Sequence, residues 1–227
     1  MHLITHTMVL VAAASLALMP SMAYTQSHHT ADHRFQDAEA WAKKFDDPKR
    51  DAWQKPNEVI QALQLKPDAI VADIGAGTGY FATKLARAVP GGKVFAVDAE
   101  PDMVKYLAAR AQRESLSNLV AIAAEASNPR LPEKTNLVIL VNTYHHIDKR
   151  ERYFGELQGA LKPGGRVAVV DFTMESPVGP PPKARIAPDR VKKEMAGAGY
   201  TLAQEHGLLP NQYFLVFEVG MKKGEKN

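Results

Sequence analysis

Beyond residue 37 the chain alternates between two rhythms of apolar positions. Nearly continuous apolar runs fall at residues 69–74, 93–97, 119–124, 137–141 and 166–172, the pattern of strands buried on both faces. Between them, apolar residues recur every three or four positions: Phe81, Leu85, Ala88 and Val89; Met103, Val104, Leu107, Ala108 and Ala111; Tyr153, Phe154, Leu157 and Leu161. Each set lays one stripe along a helix, and Pro101 suits the first turn of the second. Pro90-Gly91-Gly92 and Lys162-Pro163-Gly164-Gly165 mark stops. Residues 188–198 read as a further helix, and Tyr200–His206 and Gln212–Val219 as two strands close enough for a hairpin. Ahead of the first strand, residues 37–64 predict two short helices divided by Asp47-Pro48. The sum is an α/β domain with a mostly parallel sheet, helices on both faces and an antiparallel terminal hairpin at one edge.

The N-terminus follows a different plan. Residues 8–23, MVLVAAASLALMPSMA, are apolar and uncharged, broken by Pro20, and end in Ser21-Met22-Ala23. That is a signal peptide, with an apolar run shorter than the roughly 20 residues needed to span a bilayer. It predicts export to the periplasm with cleavage near Ala23, and no stable membrane span. Because neither Lys nor Arg precedes the run, the alternatives are an uncleaved membrane anchor, or a start placed too far upstream and a cytoplasmic protein. The expected organisation is a leader at 1–23, a flexible polar arm at 24–36, and a helical segment at 37–67 positioned to act as a lid. A domain at 68–220 and a polar tail at 221–227 complete it. His28, His29 and His33 fall in the arm and are assigned no metal.

Composition narrows the chemistry. With 45% hydrophobic and 23% charged residues in 227, the chain is globular rather than disordered. A net charge of +3, with no basic run beyond short pairs, gives no footprint for nucleic acid. The absence of cysteine removes disulfides, thiolate metal sites and a Cys nucleophile. Oligomeric state is not readable.

The most informative segment is VADIGAGTGY at residues 71–80. A strand runs straight into glycines that permit positive φ and close approach of a ligand, at the carboxyl edge where open parallel sheets bind ligands. A dinucleotide fingerprint needs G-x-G-x-x-G; here the third glycine comes one residue early, and Asp73 stands two residues ahead of the first. That acid suits an ammonium better than a pyrophosphate. Asp98 ends the next strand, where a carboxylate accepts from ribose hydroxyls. A ligand with a cationic amino-acid end and an unphosphorylated ribose fits both acids, and S-adenosylmethionine is one.

Together with VFAVDAEPDMV (94–104), ILVNTYHHI (139–147) and LKPGGRVAVVDF (161–172), the loop resembles class I S-adenosylmethionine-dependent methyltransferases over roughly residues 56–219. The resemblance implies a Rossmann-like sheet of seven strands with the last antiparallel. It implies that Asp73, Gly75, Gly77 and Gly79, with the adjoining Ala76 and Tyr80, hold the methionine part of the cofactor. Asp98 would take the ribose, with Ala99 and Met103 near the adenine. Glu125, beside Ala126, would read the adenine amino group, and Asn142 would stand near the methyl. Departures are Glu125 where Asp is common, Asn136 where Asp is frequent, and a proline-broken stretch at 127–134 that leaves the usual helix vestigial.

For the chemistry itself, Tyr144-His145-His146 follows a strand at the carboxyl edge. His146 and Tyr144 are the candidate catalytic residues, with an imidazole able to take a proton at neutral pH; His145 ranks below them. Trp41, Phe45, residues 53–56, residues 180–183 with Arg185, and residues 212–214 are either walls of an acceptor pocket or plain packing. The expected activity is methyl transfer to a small-molecule acceptor by in-line displacement. Arsenite is disfavoured because the enzymes that methylate it depend on cysteines. The alternatives are a non-catalytic binder of the same cofactor, and a nicotinamide-dependent reductase, whose six-residue glycine spacing is absent.

Overall fold

The computed structural model describes residues 37–220. The predicted leader, arm and tail lie outside the described residues. Seven strands form one sheet in the order β3-β2-β1-β4-β5-β7-β6. The strands are β1 (Ile70–Ile74), β2 (Lys93–Asp98), β3 (Leu119–Ala123), β4 (Thr135–Val141), β5 (Leu161–Phe172), β6 (Tyr200–His206) and β7 (Gln212–Val219). Neighbours from β3 to β5 pair in parallel. β7 runs antiparallel between β5 and β6. The sequence-derived fold is thus the observed one.

Strand side chains alternate between two cores, as a period of two requires. Val71, Leu137, Ile139, Ala168, Val170, Phe214 and Val216 face one side, where α3 (Pro56–Ala62), α4 (Ala82–Ala88) and α5 (Pro101–Arg113) supply Val59, Leu85 and Leu107. Ala72, Val138, Leu140, Val167, Val169, Leu215 and Phe217 face the other, where α6 (Arg150–Leu157) and α7 (Pro188–Gly197) supply Phe154, Leu157, Val191 and Met195. Burial on both faces is why these strands read as continuous apolar runs.

Two boundaries differ from expectation. The N-terminal segment holds three helices rather than two: α1 (Ala38–Phe45), α2 (Arg50–Gln54) and α3. Lys55, at φ +43°, breaks the second from the third, because the residue before Pro56 is disfavoured in the α region. β5 begins at Leu161, not 166, pairing with Thr135 before a register shift; Gly164 there adopts φ +71°. No helix forms between Ala124 and Lys134.

Candidate functional site

The turn from β1 to α4 is built on three glycines at φ +74°, +56° and +93° for Gly75, Gly77 and Gly79. Two of them are also required by space. A Cβ on Gly75 would lie 2.4 Å from the Thr143 side chain, and one on Gly79 would lie 2.8 Å from Leu107. The loop is tied to β2 by the Gly75 and Ala76 amides, which donate to the Val97 carbonyl at 2.8 and 3.0 Å.

Two carboxylates flank the loop at the ends of adjacent strands. Asp73 is 2% exposed; burial, and then the charge of Asp98, push its pKa up to about 7, against the pull of an Ala82 amide and the Arg50 charge. Asp98 is raised as well, chiefly by burial. Its carboxylate accepts from the Gly77 amide at 2.8 Å and the Glu100 amide at 2.9 Å. Two neighbouring acids, one buried and one half-buried, are a field that repels phosphate and welcomes a cation. They fit a ligand with an ammonium and an uncharged sugar.

The N-terminal helices lie over this edge. Phe45 packs 3.5 Å from the Cβ position of Gly77. Asp46 accepts from Thr78 at 3.1 Å and from Arg110 at 2.9 Å. Tyr80 is buried, donates its hydroxyl to Asp51, and carries the Arg50 guanidinium 4.0 Å above its ring. Gln54, fully buried, donates to Gln212 at 3.1 Å, and Gln212 donates to Asn142. Asn142 itself sits at φ +58° directly after β4. Trp53 meets Phe172 with ring centroids 6.0 Å apart.

The remaining predicted residues divide. Ala99, Glu125 and Ala126 are exposed, and Glu125 is paired with Arg130. Met103 is buried on the inner stripe of α5. Tyr144 is a correction. Its side chain is fully buried, stacks on Phe154, and donates to Glu194 at 2.9 Å, so it is not offered to a substrate; burial and the Glu194 charge raise its pKa far above the usual tyrosine value. His146 is exposed on the same 3₁₀ turn. His145 is instead the ordered member: Nδ1 lies 2.8 and 3.0 Å from the two carboxylate oxygens of Asp171. Asp171 had stood out only as a strand residue, because nothing in a linear sequence says that the ends of β4 and β5 meet there.

Arg185 also takes a defined part. It donates to the carbonyls of Thr173, Met174, Ser176, Val178 and Pro180 at 2.7–3.1 Å. It therefore gathers the proline-rich connection that leaves the carboxyl end of β5.

Residues 71–165 match the family described as a methyltransferase domain. The arsenite methyltransferase of Halobacterium salinarum is 28% identical over 160 residues, covering 70% of this chain and 40% of its own length. The demethylmenaquinone methyltransferase of Thermus thermophilus is 30% identical over 131 residues, covering 58% and 56%. The chain thus spans about half the length of these curated relatives. The crystal structure of an S-adenosylmethionine-dependent methyltransferase from Aquifex aeolicus aligns at a TM-score of 0.74 and 24% identity, covering 81% of this chain and 98% of that one.

Proposed function

From the methyltransferase domain matched by residues 71–165, we propose that the protein is a class I S-adenosylmethionine-dependent enzyme that transfers a methyl group to a small-molecule acceptor by in-line displacement. The observation that carries this reading is the pair of carboxylates, Asp73 buried and Asp98 half-buried, at the ends of adjacent strands astride the glycine loop. The donor supplies an already activated methyl on a positive sulfur. What the chain has to contribute is alignment and exclusion of water, and alignment alone is worth roughly 7–11 kcal/mol of barrier.

Asp73 would hold the ammonium, Asp98 the ribose hydroxyls, and the N-terminal helices would close the crevice from above. A small acceptor is supported by the covered edge, where the end of α1 and α2 are bonded to the glycine loop and to β7. Arsenite is disfavoured despite the relative that bears its name: trivalent arsenic is a soft centre that thiolates hold, and the chain has no cysteine. The leader-like run at 8–23 supports export.

Calorimetric titration of residues 24–227 with S-adenosylmethionine, and separately with NADH, tests the assignment. Binding of the first alone is expected, and Asp98→Ala should weaken it roughly 10- to 100-fold, the worth of hydrogen bonds to a charged group. Undiminished affinity in that variant, or a preference for NADH, would overturn the reading.

A further inference from the structure

We propose that His145 is the base that takes a proton from the acceptor, that Asp171 positions it, and that the acceptor is a neutral hydroxyl compound of the phenol or enol class. This rests on the methyl-transfer reading above. The turn at Tyr144–His146 follows β4, which neighbours β1 in the sheet. Thr143, at the head of that turn, fills the space in front of Gly75. The imidazole therefore stands two residues from a side chain that touches the donor loop.

The turn divides its three side chains by environment. Tyr144 goes to the core and is bonded there to Glu194. His146 stays exposed, its ring 4.1 Å from that of His145. His145 faces the carboxyl end of β5, where its side chain is 6% exposed and that of Asp171 4%. Asp171 accepts from the His145 amide at 3.3 Å and the Phe172 amide at 2.8 Å besides the ring. It is thus held from three directions. Among the described residues the imidazole is its ion-pair partner. Tyr213, its cross-strand neighbour on β7, has a buried hydroxyl without a hydrogen-bond partner among the described residues. On the far side of Tyr144 stand Glu194 and Arg150, which pair with each other at 2.6 Å.

A carboxylate only accepts, so Nδ1 carries the hydrogen and Nε2 keeps a lone pair for an incoming proton. The step then balances. The acceptor's O–H proton passes to Nε2, and an oxygen lone pair forms the bond to the methyl carbon. The carbon–sulfur bond breaks with its electron pair left on sulfur, giving a neutral thioether. One positive charge leaves the sulfonium and one is gained by the imidazolium, beside the fixed Asp171 carboxylate. This arrangement selects an acceptor class. A carboxylate attacks already ionised and gains nothing from a base, whereas a hydroxyl with a pKa of about 10, as in a phenol, needs its proton removed as the bond forms.

The full chain, with S-adenosylmethionine, should methylate members of a panel of phenols and enols in preference to matched carboxylates, by mass detection. His145→Gln should lower kcat about 10²–10⁴-fold, the usual worth of a general base. Its donor affinity should stay within twofold, which also reports that it folds. Asp171→Asn should lower kcat less, with donor affinity and acceptor KM unchanged. Nitrogen NMR of the His145 ring, which needs no turnover, should show the Nδ1–H tautomer in the parent and its loss in Asp171→Asn. Retained kcat in His145→Gln, an Nε2–H ring, or methylation confined to carboxylates or absent from the panel would each overturn the proposal. In all of these the donor still binds; failure of the donor titration itself would instead sink the methyl-transfer reading.

Discussion

Asp73 has a pH dependence whose sign follows from its surroundings. In the unfolded chain an aspartate ionises near pH 3.9; in the fold, burial and Asp98 hold it protonated up to about pH 7. Between these values the native state binds the extra proton, so stability falls as pH rises through the window and levels off above it. The span amounts to something on the order of 4 kcal/mol. Urea midpoints from pH 4.5 to 7.5 should therefore decline more steeply in the parent than in Asp73→Asn, which keeps the shape and removes the charge. Parallel declines would refute the raised pKa. A donor ammonium wants the ionised form, so donor affinity should climb with pH up to about 7 and flatten beyond it. The acid itself was readable from its place before the glycines. What was not readable was which of Tyr144, His145 and His146 turns inward, because a single 3₁₀ turn has no periodicity to betray its faces.

The N-terminal helices act as a strap across the carboxyl edge, and their hold is polar as much as apolar. Gln54 and Gln212 are both buried, 0% and 3% exposed, and bonded at 3.1 Å. Removing one partner leaves the other's amide unsatisfied, which costs about 1–3 kcal/mol. Gln54→Leu and Gln212→Leu should each lose that much by chemical denaturation, while the double variant loses less than their sum, with a coupling of at least about 0.5 kcal/mol. Strict additivity would mean that the strap does not rest on this bond. All seven strands were legible, the inner ones because double-faced burial writes itself as apolar runs, and the exposed β6 by its place beside β7 in a hairpin. The break at Lys55 has a signal in the sequence, the proline after it. The early start of β5 left none, for Lys162-Pro163-Gly164-Gly165 reads as a stop until Thr135 is there to pair with Leu161.

At the scale of the whole chain, the leader-like segment and the donor site are separable. Every residue given a part in the site, from Phe45 and Asp46 to Gln212, falls within the 37–220 stretch that forms the fold. Nothing in 1–23 is needed to build the carboxylate pair, the strap or the His145–Asp171 contact. Having no cysteine, the domain also needs no oxidising compartment to mature, so it should fold equally well on either side of a membrane. Two outcomes are expected when the full chain and residues 24–227 are expressed side by side in a bacterium. The full chain should be recovered from the periplasm with a mass that begins at Tyr24, and the shortened one from the cytoplasm. Both should bind S-adenosylmethionine with the same affinity. A full-length mass in the cytoplasm would remove the proposal of export and leave the site untouched. Weaker binding by the shortened chain would instead mean that the first residues reach the crevice and that the strap alone does not close it.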